Sequence, residues 1–210
     1  MYRLGIVVAL LATAWLNVSA TEVTLSETWN YLPGQYFNGD ALGNTWTVAG
    51  EVDVVGGEYY GFLCTDAGWT GQCLDLSGWT PGGVVTSAPL TFEAGTEYTL
   101  YFEAAGSQRP QWGPASNSFL VAVGNSAGDL VYFTSGPMAS TQDFLTFTIL
   151  FTPTQTTKAS LRIVSLDSSG AIGALLGPVQ ITHAPEPASL VLMGTGLAAM
   201  GAMLRKRLKR

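Results

Sequence analysis

From Thr21 to His183 apolar side chains recur at every second residue, a spacing that gives a strand one buried face but cannot form the apolar stripe of a helix. In "EYTLYFEA", Tyr98, Leu100, Phe102 and Ala104 share one face, and Thr99, Tyr101 and Glu103 share the other. "FLTFTILF" aligns Leu145, Phe147, Ile149 and Phe151 in the same way. "TWTVA", "EVDVV", "YYGFL", "SFLVAV", "LVYF", "SLRIV" and "VQIT" read as further short strands. Turn signals separate them at Gly56-Gly57, Pro81-Gly82-Gly83, Ala94-Gly95, Ser107 to Pro114 and Ser168 to Gly170. Roughly nine to eleven strands over about 160 residues imply an all-β fold, an antiparallel β-sandwich or jelly roll. No helical period of any length precedes the final segment. With 47% hydrophobic residues, the chain has ample material for a core.

The two ends break the pattern. "MYRLGIVVALLATAWLNVSATEV" begins with Arg3 as a positive n-region. It then runs through an apolar stretch from Leu4 to Leu16 and offers Val18-Ser19-Ala20 for cleavage. Residues 1–20 therefore read as a secretory signal peptide, leaving an ectodomain at 21–183. At the other end Pro185-Glu186-Pro187 precedes an uncharged run of 17 residues, 188–204, and a basic tail, 205–210, with Arg205, Lys206, Arg207, Lys209 and Arg210. Such a run is at the short limit of a transmembrane helix, and the basic cluster keeps its end cytoplasmic. The two prolines fix φ and disfavour helix at the residue before each, so the motif is presented extended, as a protease groove requires.

In this order, the parts of residues 184–210 resemble the PEP-CTERM sorting signal of Gram-negative bacteria. The resemblance implies that exosortase, a membrane protease-transpeptidase, recognises Pro185-Glu186-Pro187. It also implies transient retention in the inner membrane and delivery to the cell surface or to an exopolysaccharide-rich biofilm or floc matrix. A second resemblance lies in "WTVAGEVDVVG", "CLDLSG", "AGTEYTLYFEAAGSQR" and "GALLGPVQIT". These segments are similar to the jelly-roll ectodomains of many PEP-CTERM proteins, which are akin to galactose-binding-like and carbohydrate-binding-module folds. Such domains often carry an acidic residue just before the last strand, where this chain has Gly177-Pro178.

Between Thr21 and Ala184 only Arg109, Lys158 and Arg162 stand against 14 Asp and Glu, a net charge of −11. A surface so acidic repels nucleic acid and suits solubility outside the cell or attraction of divalent cations. Cys64 and Cys73 bracket "TDAGWTGQ" and, in an exported chain, read as a disulfide. The two alone lack the further ligands of a zinc site. His183 is the only histidine and has no partnered nucleophile nearby, so no catalytic residue is assigned. Paired carboxylates such as Asp53, Asp75 and Glu103 would serve a carbohydrate-active hydrolase on the same sandwich, which stands as the alternative function. Asp53 and Glu103 lie within strand patterns, where they can equally face solvent. Asp40, Asp53, Asp66 or Asp75 would suit a structural calcium, although no tight acidic loop marks one; no other metal or cofactor is implied. Trp69, Trp79 and Trp112, with Tyr59 and Tyr60, lie in or near turns, where flat rings either cap a core or stack on sugars. The leading expectation is a non-enzymatic surface or matrix protein, structural or carbohydrate-binding.

Overall fold

The computed structural model describes residues 22–80, 82–111, 116–167 and 173–183. In chain order the strands begin with β1 (Glu22–Glu27), β2 (Gly34–Phe37), β3 (Ala41–Leu42), β4 (Trp46–Ala49), β5 (Glu51–Val55) and β6 (Cys73–Asp75). They continue with β7 (Val84–Ser87), β8 (Leu90–Phe92), β9 (Tyr98–Ala105), β10 (Ser116–Asn117) and β11 (Phe119–Asn125). The last are β12 (Gly128–Thr134), β13 (Met138–Ala139), β14 (Leu145–Phe151), β15 (Thr157–Ser165) and β16 (Leu175–His183). One short helix, α1 (Phe62–Asp66), lies between β5 and β6.

These strands build two antiparallel sheets of seven. The first runs β14-β9-β16-β6-β5-β2 with β1 also on β16; the second runs β12-β11-β15-β7-β4-β3 with β8 also on β15. Strands β10 and β13 form a small separate pair. The chain passes from sheet to sheet every one or two strands, so each sheet is assembled from distant parts of the sequence. Burial follows the alternation: Tyr98, Leu100, Phe102 and Ala104 of β9 are buried, with half-buried residues between them.

The core lies where the two sheets face each other. Val52, Val54, Leu100 and Phe102 from the first sheet join Val48, Val85, Val121, Leu161 and Ile163 from the second in one buried cluster. Aromatic contacts cross the interface. Phe102 of β9 meets Phe119 of β11 edge to face at 5.9 Å and stacks on Phe147 at 5.0 Å, while Phe133 packs against all three rings. Each such pair adds about 0.5–1.5 kcal/mol to the burial of its area.

Two local expectations fail for visible reasons. "YYGFL" is not a strand: Tyr60 takes φ 52°, a left-handed conformation costly for a bulky residue, and the chain turns into α1. A bridge between Gly56 and Tyr59 closes the turn, and α1 carries Cys64 to Cys73. A covalent tether thus overrides the local alternation. Gly177-Pro178 does not precede the last strand but lies inside β16, at the register irregularity between Leu176 and Val179. A bulge is where a strand tolerates a residue without an N–H. The strands also outnumber the expectation, because pieces as short as β3, β10 and β13 have no room to show a period.

No helix among the described residues is long and apolar enough to cross a membrane. The expected signal peptide at 1–20, the Pro185-Glu186-Pro187 motif and the expected span at 188–204 lie outside the described residues.

Candidate functional site

Strand β5 places Val52 and Val54 in the core, so Glu51, Asp53 and Val55 point to the other face of the first sheet. That face should be wet, yet Glu51 is 3% exposed, Asp53 6% and Asp75 of β6 fully buried, so of the two readings left open for Asp53 the solvent-facing one fails. Register explains their grouping. Asp53 stands opposite Asp75, Asp75 opposite Leu175, and Leu175 opposite Ala105.

Three covers close over this row. Leu63, Cys64 and Ala67 of the α1 lobe pack on Val55, Cys73, Ala105 and Leu175 as a second apolar cluster. The loop after β6 lies over Glu51, whose Oε2 accepts from Thr80 N at 3.0 Å and from Thr80 Oγ1 at 2.9 Å. Gly78 is required there, because a Cβ would come within 2.3 Å of Glu51 Cγ. The third cover is the loop after β9. Gly106 N donates to Gln142 O and Gln108 N to Ser140 O, and this anchoring delivers Arg109 to the carboxylates.

The Arg109 guanidinium sits between Asp75 and Tyr60. Its Nη2 is 3.8 Å from Asp75 Oδ2, an ion-pair distance without a hydrogen bond, and its Cζ lies 4.8 Å from the Tyr60 ring centroid. Asp75 Oδ1 accepts from Ser77 N at 3.0 Å and Gly173 N at 2.8 Å. Burial nevertheless raises the Asp75 carboxyl to about 8, against the lowering pull of those N–H groups and of Arg109. Burial, reinforced by Glu51, raises Asp53 to about 6. Burial first, then the charge of Asp53, raises the Tyr59 phenol to about 12. Among the described residues, Glu51 Oε1, Asp53 Oδ1, Asp75 Oδ2, Arg109 Nε and Arg109 Nη2 are buried without a hydrogen-bond partner. Above them stands an aromatic shelf. Tyr60, 43% exposed, meets Tyr59 edge-on at 5.0 Å and Phe62, 56% exposed, at 6.3 Å.

The structure brings Asp53, Asp75, Tyr59 and Tyr60 together and sends the other candidates elsewhere. Trp79 is 74% exposed, on the same loop that covers Glu51. Trp69 is half-buried: its Nε1 donates to Gln72 O at 3.0 Å and its ring packs edge-on against Phe144, so it braces the disulfide loop. Trp112 lies outside the described residues. Glu103 accepts a hydrogen bond from Tyr101 on the same strand. Asp40 accepts from Phe37 N in the turn after β2, and Asp66 is exposed on α1, so the four aspartates do not converge. No group of three or more His, Cys, Asp or Glu among the described residues could hold a metal ion. The His183 ring lies 5.2 Å from that of Tyr98, in β9. Sequence reasoning missed Glu51 and Arg109; the one available signal was that Arg109 is among only three cations in the ectodomain.

Cys64 and Cys73 form the expected disulfide across nine residues. Replacing both by serine should cost about 2–3 kcal/mol in the chain-entropy view. The cost should appear as a lower urea midpoint for the variant than for the oxidised parent, with no difference once both are fully reduced.

Residues 183–207 match the PEP-CTERM protein-sorting motif. The match coincides with the tail expected at 184–210. No curated protein matches the chain. Among solved structures, an arabinose-bound α-L-arabinofuranosidase aligns with TM-score 0.52 and 12% identity over 79% of this chain. This chain spans 27% of that enzyme's length. The CBM22-1 xylan-binding domain from Paenibacillus barcinonensis aligns with TM-score 0.48 and 17% identity, over 80% of this chain and 98% of that one. An adhesin domain of Lys-gingipain from Porphyromonas gingivalis aligns with TM-score 0.47 and 12% identity, over 78% of this chain and 99% of that one. At such identities the likeness is one of fold.

Proposed function

We propose that this chain is an exported, non-enzymatic surface or matrix protein whose jelly-roll ectodomain binds a glycan over the Asp53–Asp75–Arg109 strip. Its address is the carboxyl end. The motif match at 183–207 supports exosortase as the partner that reads Pro185, Glu186 and Pro187 while the inner membrane briefly holds the chain. Signal-peptide removal after residue 20 and a transmembrane segment at 188–204 belong to the same reading.

The observation that carries the glycan reading is the exposed aromatic shelf of Tyr60 and Phe62, with the Arg109 guanidinium against the Tyr60 ring and the buried acids Glu51, Asp53 and Asp75 beneath. A sugar ring offers an apolar face for such a shelf and hydroxyls for the polar groups at its rim. Trp79, on the loop that covers Glu51, offers a second face. Calorimetric titration with oligosaccharides prepared from the producer's own exopolysaccharide tests this. Tyr60→Ala and Asp53→Asn are each expected to weaken binding by about tenfold, the effect of one stacking or charged hydrogen-bond contact. Absence of binding by the parent protein at millimolar sugar would contradict the proposal. The hydrolase alternative predicts glycan fragments in the same samples. It must recruit Asp75, which has no exposed surface and is held by two backbone N–H groups.

A further inference from the structure

Among the described residues four strands end the main ladders, β2 and β14 in the first sheet and β3 and β12 in the second, while β1 and β8 lie off these paths with one partner each, β1 with an acidic residue at either end and β8 only three residues long. An edge strand presents unpaired N–H and C=O groups to any other strand, and proteins blunt such edges by brevity, bulges, charge or proline. Three of these edges are blunted. Strand β3 has two residues, and β2 has four and follows Pro33. Strand β12 faces a register break at Val123/Gly124 and carries Asp129, 3.6 Å from Arg162.

Strand β14 has none of these devices. It is seven residues long, LTFTILF, without charge, proline or glycine, and it pairs with β9 in unbroken register from Leu145 to Phe151. Among the described residues β9 is its only strand partner. Such composition is that of self-associating segments. Leu145 and Leu150 are exposed, and Phe147 and Ile149 pack against the core while remaining partly uncovered.

We propose that β14 is a homotypic docking edge, on which a second copy of this chain adds its own β14 antiparallel across a two-fold axis. The segment is complementary to itself. Pairing centred on Thr148 sets Leu145 opposite Phe151, Thr146 opposite Leu150, and Phe147 opposite Ile149 of the second copy. Phe147 and Ile149 lie on the core side, so the apolar layer of one copy runs on into the next. Asp143, just before the strand, falls opposite Pro153 of the second copy and not opposite another acid. Two ectodomains, each carrying −11, therefore meet without a like-charge pair in the ladder. The same patch serves both partners, and the assembly closes at two copies.

Thiol cross-linking of the full chain in detergent micelles tests the proposal, because Cys64 and Cys73 are bonded to each other and an introduced thiol stands alone. Thr148→Cys places two thiols on directly opposed residues, whose Cα separation in an antiparallel pair falls within disulfide range. Under mild oxidation it should give roughly tenfold more covalent dimer than Thr47→Cys, since Thr47 is exposed on β4 of the other sheet and lies beyond disulfide reach. A mixture of Thr146→Cys and Leu150→Cys chains should cross-link, while neither does so alone. Equal dimer from Thr148→Cys and Thr47→Cys, or an unlinked mixture, would overturn the proposal. Because Thr47→Cys carries the same tail, association through that segment alone raises both signals equally.

Discussion

Glu27→Ala should destabilise the folded domain by about 4 kcal/mol, because one carboxylate satisfies four donors, two of them on the buried Trp29 and Trp46. Oε1 accepts from Thr28 N at 2.8 Å and Trp29 N at 2.6 Å; Oε2 accepts from the Tyr31 hydroxyl at 2.6 Å and Trp46 Nε1 at 2.8 Å. Trp29 and Trp46 are buried, with ring centroids 5.1 Å apart, so their orphaned N–H groups would remain away from water. Trp29 also holds φ 57°, a conformation that a bulky residue keeps only when its surroundings dictate it. Its Nε1 donates to Gly177 O at 2.6 Å, which ties the turn after β1 to the bulge in β16. Urea unfolding followed by tryptophan fluorescence should show a large drop in midpoint for Glu27→Ala. Glu27→Gln, which retains one oxygen acceptor, should show about half of it. A Glu27→Ala midpoint within experimental error of the parent would show that the four bonds do not act together.

The second large effect is a pH dependence set by Asp75. In the folded chain its carboxyl titrates at about 8, well above the ordinary 3.8. Between those values the folded state holds a proton that the unfolded state has released. Stability from this group is therefore fully present below pH 4, falls as pH rises towards 8, and is flat above. Asp53, raised to about 6, adds a decline in the same direction between pH 4 and 6. From pH 5 to pH 8 the ectodomain should lose on the order of 3 kcal/mol through Asp75 alone. Asp75→Asn keeps an acceptor for Ser77 N and Gly173 N but cannot ionise, so its stability should vary far less over that range. Parallel pH profiles for the two proteins would remove Asp75 as the cause. The cost of burying this acid is a reason to regard the strip as built for binding, since hydrophobic residues would stabilise the sheet better.

What the sequence made legible is what short-range periodicity encodes. Tyr98 to Ala104 read correctly as a one-faced strand because β9 lies mid-sheet, with a partner on either side and the core beneath. Cys64 and Cys73 were legible because an exported chain with two cysteines has few other uses for them. "YYGFL" misled because its alternation is real, but the disulfide and the left-handed Tyr60 decide the backbone. The strand pattern left Asp53 open between solvent and a carboxylate site; the α1 lobe and the loops after β6 and β9, which bury it, are not visible in that local pattern. The Glu27 hub was invisible for the same reason: its donors include Trp46, 19 residues away. The sorting motif was the opposite case, since the match at 183–207 rests on contiguous residues.

The most direct test of the function proposed here is the carboxyl-terminal mass of the protein recovered from exosortase-bearing cells. The expected result is a chain ending near Pro185–Pro187, shed of its basic tail, while Glu186→Gln leaves a larger fraction intact. Recovery of the wild-type protein with Arg210 still attached, whether from the surface or the surrounding matrix, would contradict it.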